Sequence, residues 1–108
     1  MGNDSPHVIV VITCSLKPDK VEMAKRGLEA VIATVMANEP GCHGVRVHED
    51  PDDPRRLLIV ERWESRETFT GPHMETAHMQ AFLKTAEAFL DGEAEFRFWR
   101  EIIVADRG

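Results

Sequence analysis

A chain of 108 residues, 43% of them hydrophobic, has the material for one modest core and leaves no room for a second domain, so residues 1–108 are expected to form a single unit. Its net charge of -6, from 19 acidic and 13 basic residues with no basic run, provides no electrostatic footprint for nucleic acid or an anionic membrane surface. A neutral or apolar small molecule fits this balance better as a partner.

The longest apolar run, Val8 to Ile12, falls far short of the roughly 18 residues of a membrane span, and the acidic N-terminus lacks a signal-peptide pattern. The expected protein is soluble and cytoplasmic. Cys14 and Cys42 are too few for a disulfide framework and lack C-x-x-C spacing, so both are expected as reduced packing residues.

Residues 1–6 are polar, contain Pro6, and are expected to be flexible. The run from His7 to Leu16 is rich in β-branched residues and predicts a strand with apolar side chains on both faces. Pro18 suits a first helical turn, and Val21, Ala24, Leu28, Val31, Ile32 and Val35 recur at helical spacing up to about Asn38, where Pro40 and Gly41 stop the pattern. Residues 42–49 read as a second strand, with Val45 and Val47 on one face and Arg46 and His48 on the other. Asp50 to Arg55 is a turn by composition, and the short connection pairs this strand in a hairpin with a third, Arg56 to Glu64. Ser65 is the expected N-cap of a short helix through Phe69, interrupted by Gly71 and Pro72. Thr76 is the expected cap of a second long helix, whose stripe Met79, Phe82, Leu83, Ala86, Phe89 and Leu90 stops at Asp91 and Gly92. Glu95 to Val104 is the last predicted strand.

This βαββαβ order is the split βαβ, ferredoxin-like pattern, an α+β fold with both helices on one face of an antiparallel sheet. The opposite face would then be bare. Apolar residues nevertheless occur on both parities of the first, third and last strands, so a second copy of the sheet is the expected cover and a homodimer the expected assembly.

Glu61 shares strand parity with Leu57, Ile59 and Trp63, which sets a carboxyl among apolar neighbours and demands a partner. Either it forms a structural salt bridge with Arg46 or Arg100, or it is an acceptor or base at a pocket wall. Trp63 is either core or a flat wall for an aromatic ligand, with its indole N–H free to donate. His73 and His78 lie five positions apart across a helix start, without the spacing of a helical metal pair or a third ligand, so no metal site is expected. Imidazole titrates near neutral pH and suits proton abstraction from a phenol-like group, although a histidine near a helix start is also a common satisfied polar residue. His43 and His48 are expected at the surface. The chain lacks a dinucleotide fingerprint, a P-loop and a G-x-S-x-G turn, and neither cysteine sits at a predicted helix N-terminus.

Residues 39–82 resemble the antibiotic biosynthesis monooxygenase (ABM) family, which includes quinol and anthrone monooxygenases. The resemblance is carried by Glu39-Pro40-Gly41-Cys42 entering a strand, the Asp50-Pro51 turn, Glu61-Arg62-Trp63-Glu64 ending one, and the His73-x4-His78 helix entry. It implies a dimeric α/β barrel with a pocket between helices and sheet. The implied activity is oxidation of a small hydroquinone-like or anthrone-like aromatic by molecular oxygen with no cofactor. Carried over by position, His73, His78 and Glu61 are the implied catalytic residues, and Trp63, Arg46, Met79 and Phe82 the substrate contacts. The chain has no tyrosine, and Val45 and Val60 stand where relatives carry one, which speaks against a mechanism using a phenolic side chain. The haem-degrading branch is disfavoured because His73 and Leu83 occupy the places of its tryptophan and its iron-ligating histidine. A non-enzymatic binding dimer and an isomerase of the same fold are the alternatives.

Overall fold

The computed structural model of the chain describes residues 7–107, and the flexibility expected of residues 1–6 lies outside them. Strand β1 (Val8–Ser15) leads through a single tight turn at Pro18–Lys20 into helix α1 (Val21–Asn38). Strands β2 (Cys42–Asp50) and β3 (Asp53–Trp63) form the predicted hairpin. Helix α2 (Arg66–Thr68), a π-helical turn over Phe69–His73 and helix α3 (Ala77–Ala86) follow, and β4 (Glu95–Trp99) closes the sheet. The sheet order is β2-β3-β1-β4, all antiparallel, as a ferredoxin-like α+β fold requires.

Register decides which side chains meet the helices. Val10 lies opposite Glu61 on β3 and Phe98 on β4, and Ile12 lies opposite Ile59 and Phe96. These residues share the helix-facing side with Val45 and Trp63. Val10, Trp63, Phe69 and Met79 are buried together with Val35 of α1, while Leu16, Ala24, Leu57, Ala86 and Phe89 make a second cluster farther along the helices. At roughly 25 cal/mol per Å² of apolar surface, such burial is the dominant favourable contribution to folding.

Both predicted N-caps form. The Ser65 hydroxyl accepts from the Thr68 N–H at 3.0 Å, and that of Thr76 accepts from the Met79 N–H at 3.2 Å. The other face of the sheet carries Ile9, Val11, Leu58, Val60 and Trp99, with Trp99 57% exposed. Cys14 and Cys42 are both free thiols. Among the described residues no helix is long and apolar enough to cross a membrane.

Three boundaries differ from expectation. Strand β3 starts at Asp53 rather than Arg56, because Asp50 pairs with Asp53 and the turn shrinks to residues 51–52. The Asp50 carboxylate accepts from the Asp52 N–H, and the Asp53 carboxylate from the Arg55 N–H, which stiffens the hairpin end. Helix α3 ends at Ala86, before Leu90, since the chain turns back to β1: the Phe89 carbonyl accepts from the Lys17 N–H and Asp91 N–H donates to the Ser15 carbonyl. Strand β4 stops at Trp99 instead of Val104. Among the described residues its strand partner is β1, whose pairing with it ends at Ile9, and Ile102, Ile103 and Val104 stand exposed.

Candidate functional site

Between the helices and the sheet lies a cavity of ≈ 110 Å³. The expected contacts Met79 and Phe82 line it, together with much of the apolar face of α1. Its titratable lining comes from Glu61, His73 and the Cys14 thiol. No lysine or arginine is among the lining residues.

His73 is placed by an unusual piece of backbone. The π-helical turn Phe69–His73 contains Gly71 and Pro72, the pair expected to break the helix, and here they widen it by one residue without breaking the path of the chain. Phe69 and His73 consequently both turn inward and are buried. His73 is buried, with the Trp63 ring 4.3 Å from its imidazole centre to centre and the Phe69 ring stacked on it at 5.3 Å.

The polar partner of His73 is Glu39, which the motif residues contained but no assigned role used. Its carboxylate oxygens lie 3.0 and 3.2 Å from His73 Nδ1, and one of them lies 2.5 Å from His78 Nε2. A carboxylate can only accept, so both imidazoles donate to it, and in neutral His73 the lone pair is then on Nε2. Glu39 is positioned by the end of α1, where its N–H caps the Val35 carbonyl and Pro40 prevents another turn. Next to it Gly41 approaches the Ser65 corner so closely that a Cβ there would meet the Thr68 methyl at 3.0 Å and the Glu64 carboxyl carbon at 3.2 Å. The Gly41 carbonyl accepts from the Glu64 N–H at 2.8 Å, which ties the loop of Glu39 to the end of β3.

Burial lowers the His73 pKa from its ordinary value, a trend that Glu39 opposes and His78 reinforces. Glu61 shifts the other way. Burial raises its carboxyl pKa and the nearby Glu39 adds to the rise, while the hydrogen bond from Trp63 counteracts it. That bond runs from Trp63 Nε1 to Glu61 Oε1 at 2.7 Å. Burial also pushes the Cys42 thiol up to about 11.

Several expected roles change with the geometry. The salt bridge of Glu61 to Arg46 or Arg100 does not form, and Arg46 is not a pocket residue: it pairs with Val60 on the face away from the helices and is exposed. Trp63 does not wall the cavity; fully buried, it backs His73 and holds Glu61. His78 does not line the cavity either and meets the site through Glu39. His43 and His48 are exposed, as expected. Among the described residues no three histidine, cysteine or acidic side chains are disposed to hold a metal ion.

The fold and the motif residues have a common origin. The family model for antibiotic biosynthesis monooxygenases matches residues 7–85, and the chain belongs to that family. Solved structures agree in fold. A conserved protein from Methanosarcina mazei Go1 superposes with a TM-score of 0.80 at 22% identity, over 91% of this chain and 95% of its own. PA3566 from Pseudomonas aeruginosa gives 0.80 at 24% identity, over 94% and 100%. A protein from Nitrosomonas europaea named for the antibiotic biosynthesis monooxygenases gives 0.83 at 20% identity, over 94% and 96%. No curated protein matches the chain.

Proposed function

We propose that this chain is a cofactor-independent monooxygenase that oxidises a small electron-rich aromatic with molecular oxygen, acting as a homodimer packed through the bare sheet face. The observation that carries the proposal is the pairing of a buried, cavity-facing His73 with Glu39, which leaves Nε2 as the basic nitrogen.

His73 Nε2 takes the proton of a ring hydroxyl, and the resulting anion is electron-rich enough to reduce oxygen itself. Oxygen bonds to a ring carbon, the O–O bond breaks, one oxygen atom stays on the ring and the other leaves as water. For a hydroquinone the balance is hydroquinone plus oxygen giving hydroxyquinone plus water, with all four electrons drawn from the substrate. Glu61, its Oε1 fixed by Trp63 and its carboxyl pKa raised by burial, acts in its un-ionised form, donating the O–H of its other oxygen to the substrate and stabilising the developing anion. His78 and Glu39 set the tautomer and orientation of His73 and do not touch substrate.

Oxygen uptake with a panel of hydroquinones, catechols and anthrones tests the proposal. His73→Ala is expected to lower the rate by about 10²- to 10⁴-fold, the usual contribution of a general base. Substrate turnover without oxygen consumption would identify an isomerase, and binding without turnover a non-enzymatic binding domain; either result overturns the proposal.

A further inference from the structure

We infer that Met74 and Phe96 form the gate of the site, and that a bound ligand reaches past them into an outer groove, with a phenolic ring inside and an apolar part of similar size outside. The inference rests on the proposed aromatic oxidation only for naming the phenolic end as the one held at His73.

Strand register sets the direction in which the space runs. Glu61, Val10 and Phe98 lie side by side across β3, β1 and β4, and Ile59, Ile12 and Phe96 form the next row on the same face. All three members of that second row line the cavity. The space therefore extends across the sheet to β4, which is an edge strand. Neighbouring strands are about 4.8 Å apart, so Phe96 stands about 10 Å from Ile59. Outside that edge lies a groove of ≈ 250 Å³, lined by Phe69, Thr70, Met74, Phe96 and Phe98. Phe69, Met74 and Phe96 also line the cavity, so these three side chains are all that separates the two spaces.

The partition has a fixed part and a movable part. Phe69 is buried, stacked on His73 and edge-on to both Trp63 and Phe98. Phe98 in turn carries the Arg66 guanidinium over its ring, 4.2 Å from the centre. Phe96, by contrast, is 44% exposed, and Met74 is an unbranched thioether chain that follows the π-helical turn. Both can change rotamer at little cost. A cavity that holds benzene measures about 150 Å³. The ≈ 110 Å³ here is smaller, so a ring beside His73 needs a wall that gives. Displacing Met74 and Phe96 supplies that room and joins the cavity to the groove, which brings the whole into the lower part of the roughly 300–1,000 Å³ range of small-molecule sites. The groove lining contains no charged side chain, so the part of the ligand it receives is apolar.

Titration calorimetry under nitrogen and stopped-flow fluorescence of Trp63, both on the intact protein, test the inference. 4-Phenylphenol is expected to bind at least about tenfold more tightly than phenol, and Thr70→Trp should bring the two within about threefold of each other. Thr70 lines the groove and not the cavity, so this variant fills the outer space alone. Met74→Ala and Phe96→Ala should each speed the association of phenol by about tenfold. Leu83→Ala, which trims the other exposed lining residue, should leave that rate within about twofold of the parent. Acceleration by Leu83→Ala alone, equal rates in all four proteins, no heat with 4-phenylphenol, or an advantage of 4-phenylphenol that survives Thr70→Trp would overturn the inference. If these probes behave as expected but phenylhydroquinone consumes no oxygen in air, the gate and groove stand and the oxidation proposal fails.

Discussion

Glu39 closes α1 and His73 stands 34 positions later in the π-helical turn, yet their side chains meet at 3.0 Å in the interior, with His78 on the same carboxylate. The carboxylate is 12% exposed and the imidazole 4%, so neither has water to fall back on. Glu39→Ala is expected to cost about 1–3 kcal/mol, the penalty for leaving a buried donor unpaired. Glu39→Gln keeps one acceptor oxygen and should cost less. Urea denaturation of the two variants beside the parent distinguishes these outcomes.

Acid should destabilise the protein through His73. Its native pKa lies below the ordinary 6.5, so on acidification the unfolded chain binds a proton there before the folded one does. The contribution is at its full value above pH 6.5 and declines as the pH falls from 6.5 towards the native pKa. A scan of melting temperature against pH should show this decline in the parent and a shallower one in His73→Asn. In the proposed reaction the acid limb of kcat/KM should accordingly have its midpoint below 6.5. Glu39→Gln should move that midpoint lower still, because Glu39 supports the protonated imidazole.

Glu61 predicts the reverse slope. Its native pKa is raised above 4.5, so the stability associated with the un-ionised acid is fully present below pH 4.5 and is lost as the pH rises through the native value. Glu61→Gln, neutral at every pH and still able to accept from Trp63, is expected to match the parent at pH 4 and to melt at a higher temperature at pH 8. Activity should survive this change better than Glu61→Ala, which removes both the Trp63 partner and the group offered to substrate. Thermal melts at the two pH values and oxygen uptake by the two variants provide the check.

Gly41 is required for its closeness to a neighbour. Gly41→Ala puts a methyl against Thr68 and Glu64, and either the loop or the Ser65 corner must shift by a few tenths of an ångström. The expected loss is about 1–3 kcal/mol, as for other overpacked positions. Because the same loop carries Glu39, the imidazole signals of both His73 and His78 should move in a nuclear magnetic resonance spectrum, although Gly41 touches neither ring.

The proposed dimer is tested at Val11, which lies between Val60 and Arg97 on the helix-free face. Val11→Lys is expected to weaken self-association by about 100-fold or more, as charge in the centre of an apolar interface does. Sedimentation velocity over a concentration series would reveal it, and a parent protein that is monomeric at micromolar concentration would remove the dimer from the proposal.

The order of elements was legible because it rests on local signals: alternation in β1, helical spacing in α1 and α3, and Ser65 and Thr76 as caps. The ends were less so. Whether a strand continues past Trp99 depends on its pairing with β1, which ends at Ile9, and residues 95–104 carry no trace of that. In the site, the apolar lining of α3 followed from its stripe, but side-chain partners did not. Arg46 is one residue from Val45, the strand neighbour of Glu61, but strand parity places its side chain on the other face. Glu39 was visible only as part of a motif, since no spacing rule connects a residue ending one helix with a histidine preceding another. A glutamate immediately before a Pro-Gly stop was the available signal.

The chain has no tyrosine and two tryptophans, and the fold puts them on opposite sides of one sheet. Trp63 is sealed beside His73 and bonded to Glu61, while Trp99 faces outward from β4. Intrinsic fluorescence is therefore divided between two reporters with separate duties. Blue-shifted emission from Trp63 should answer to whatever enters the cavity, and red-shifted emission from Trp99 to dilution and assembly. An unlabelled sample can thus report occupancy and association in one spectrum.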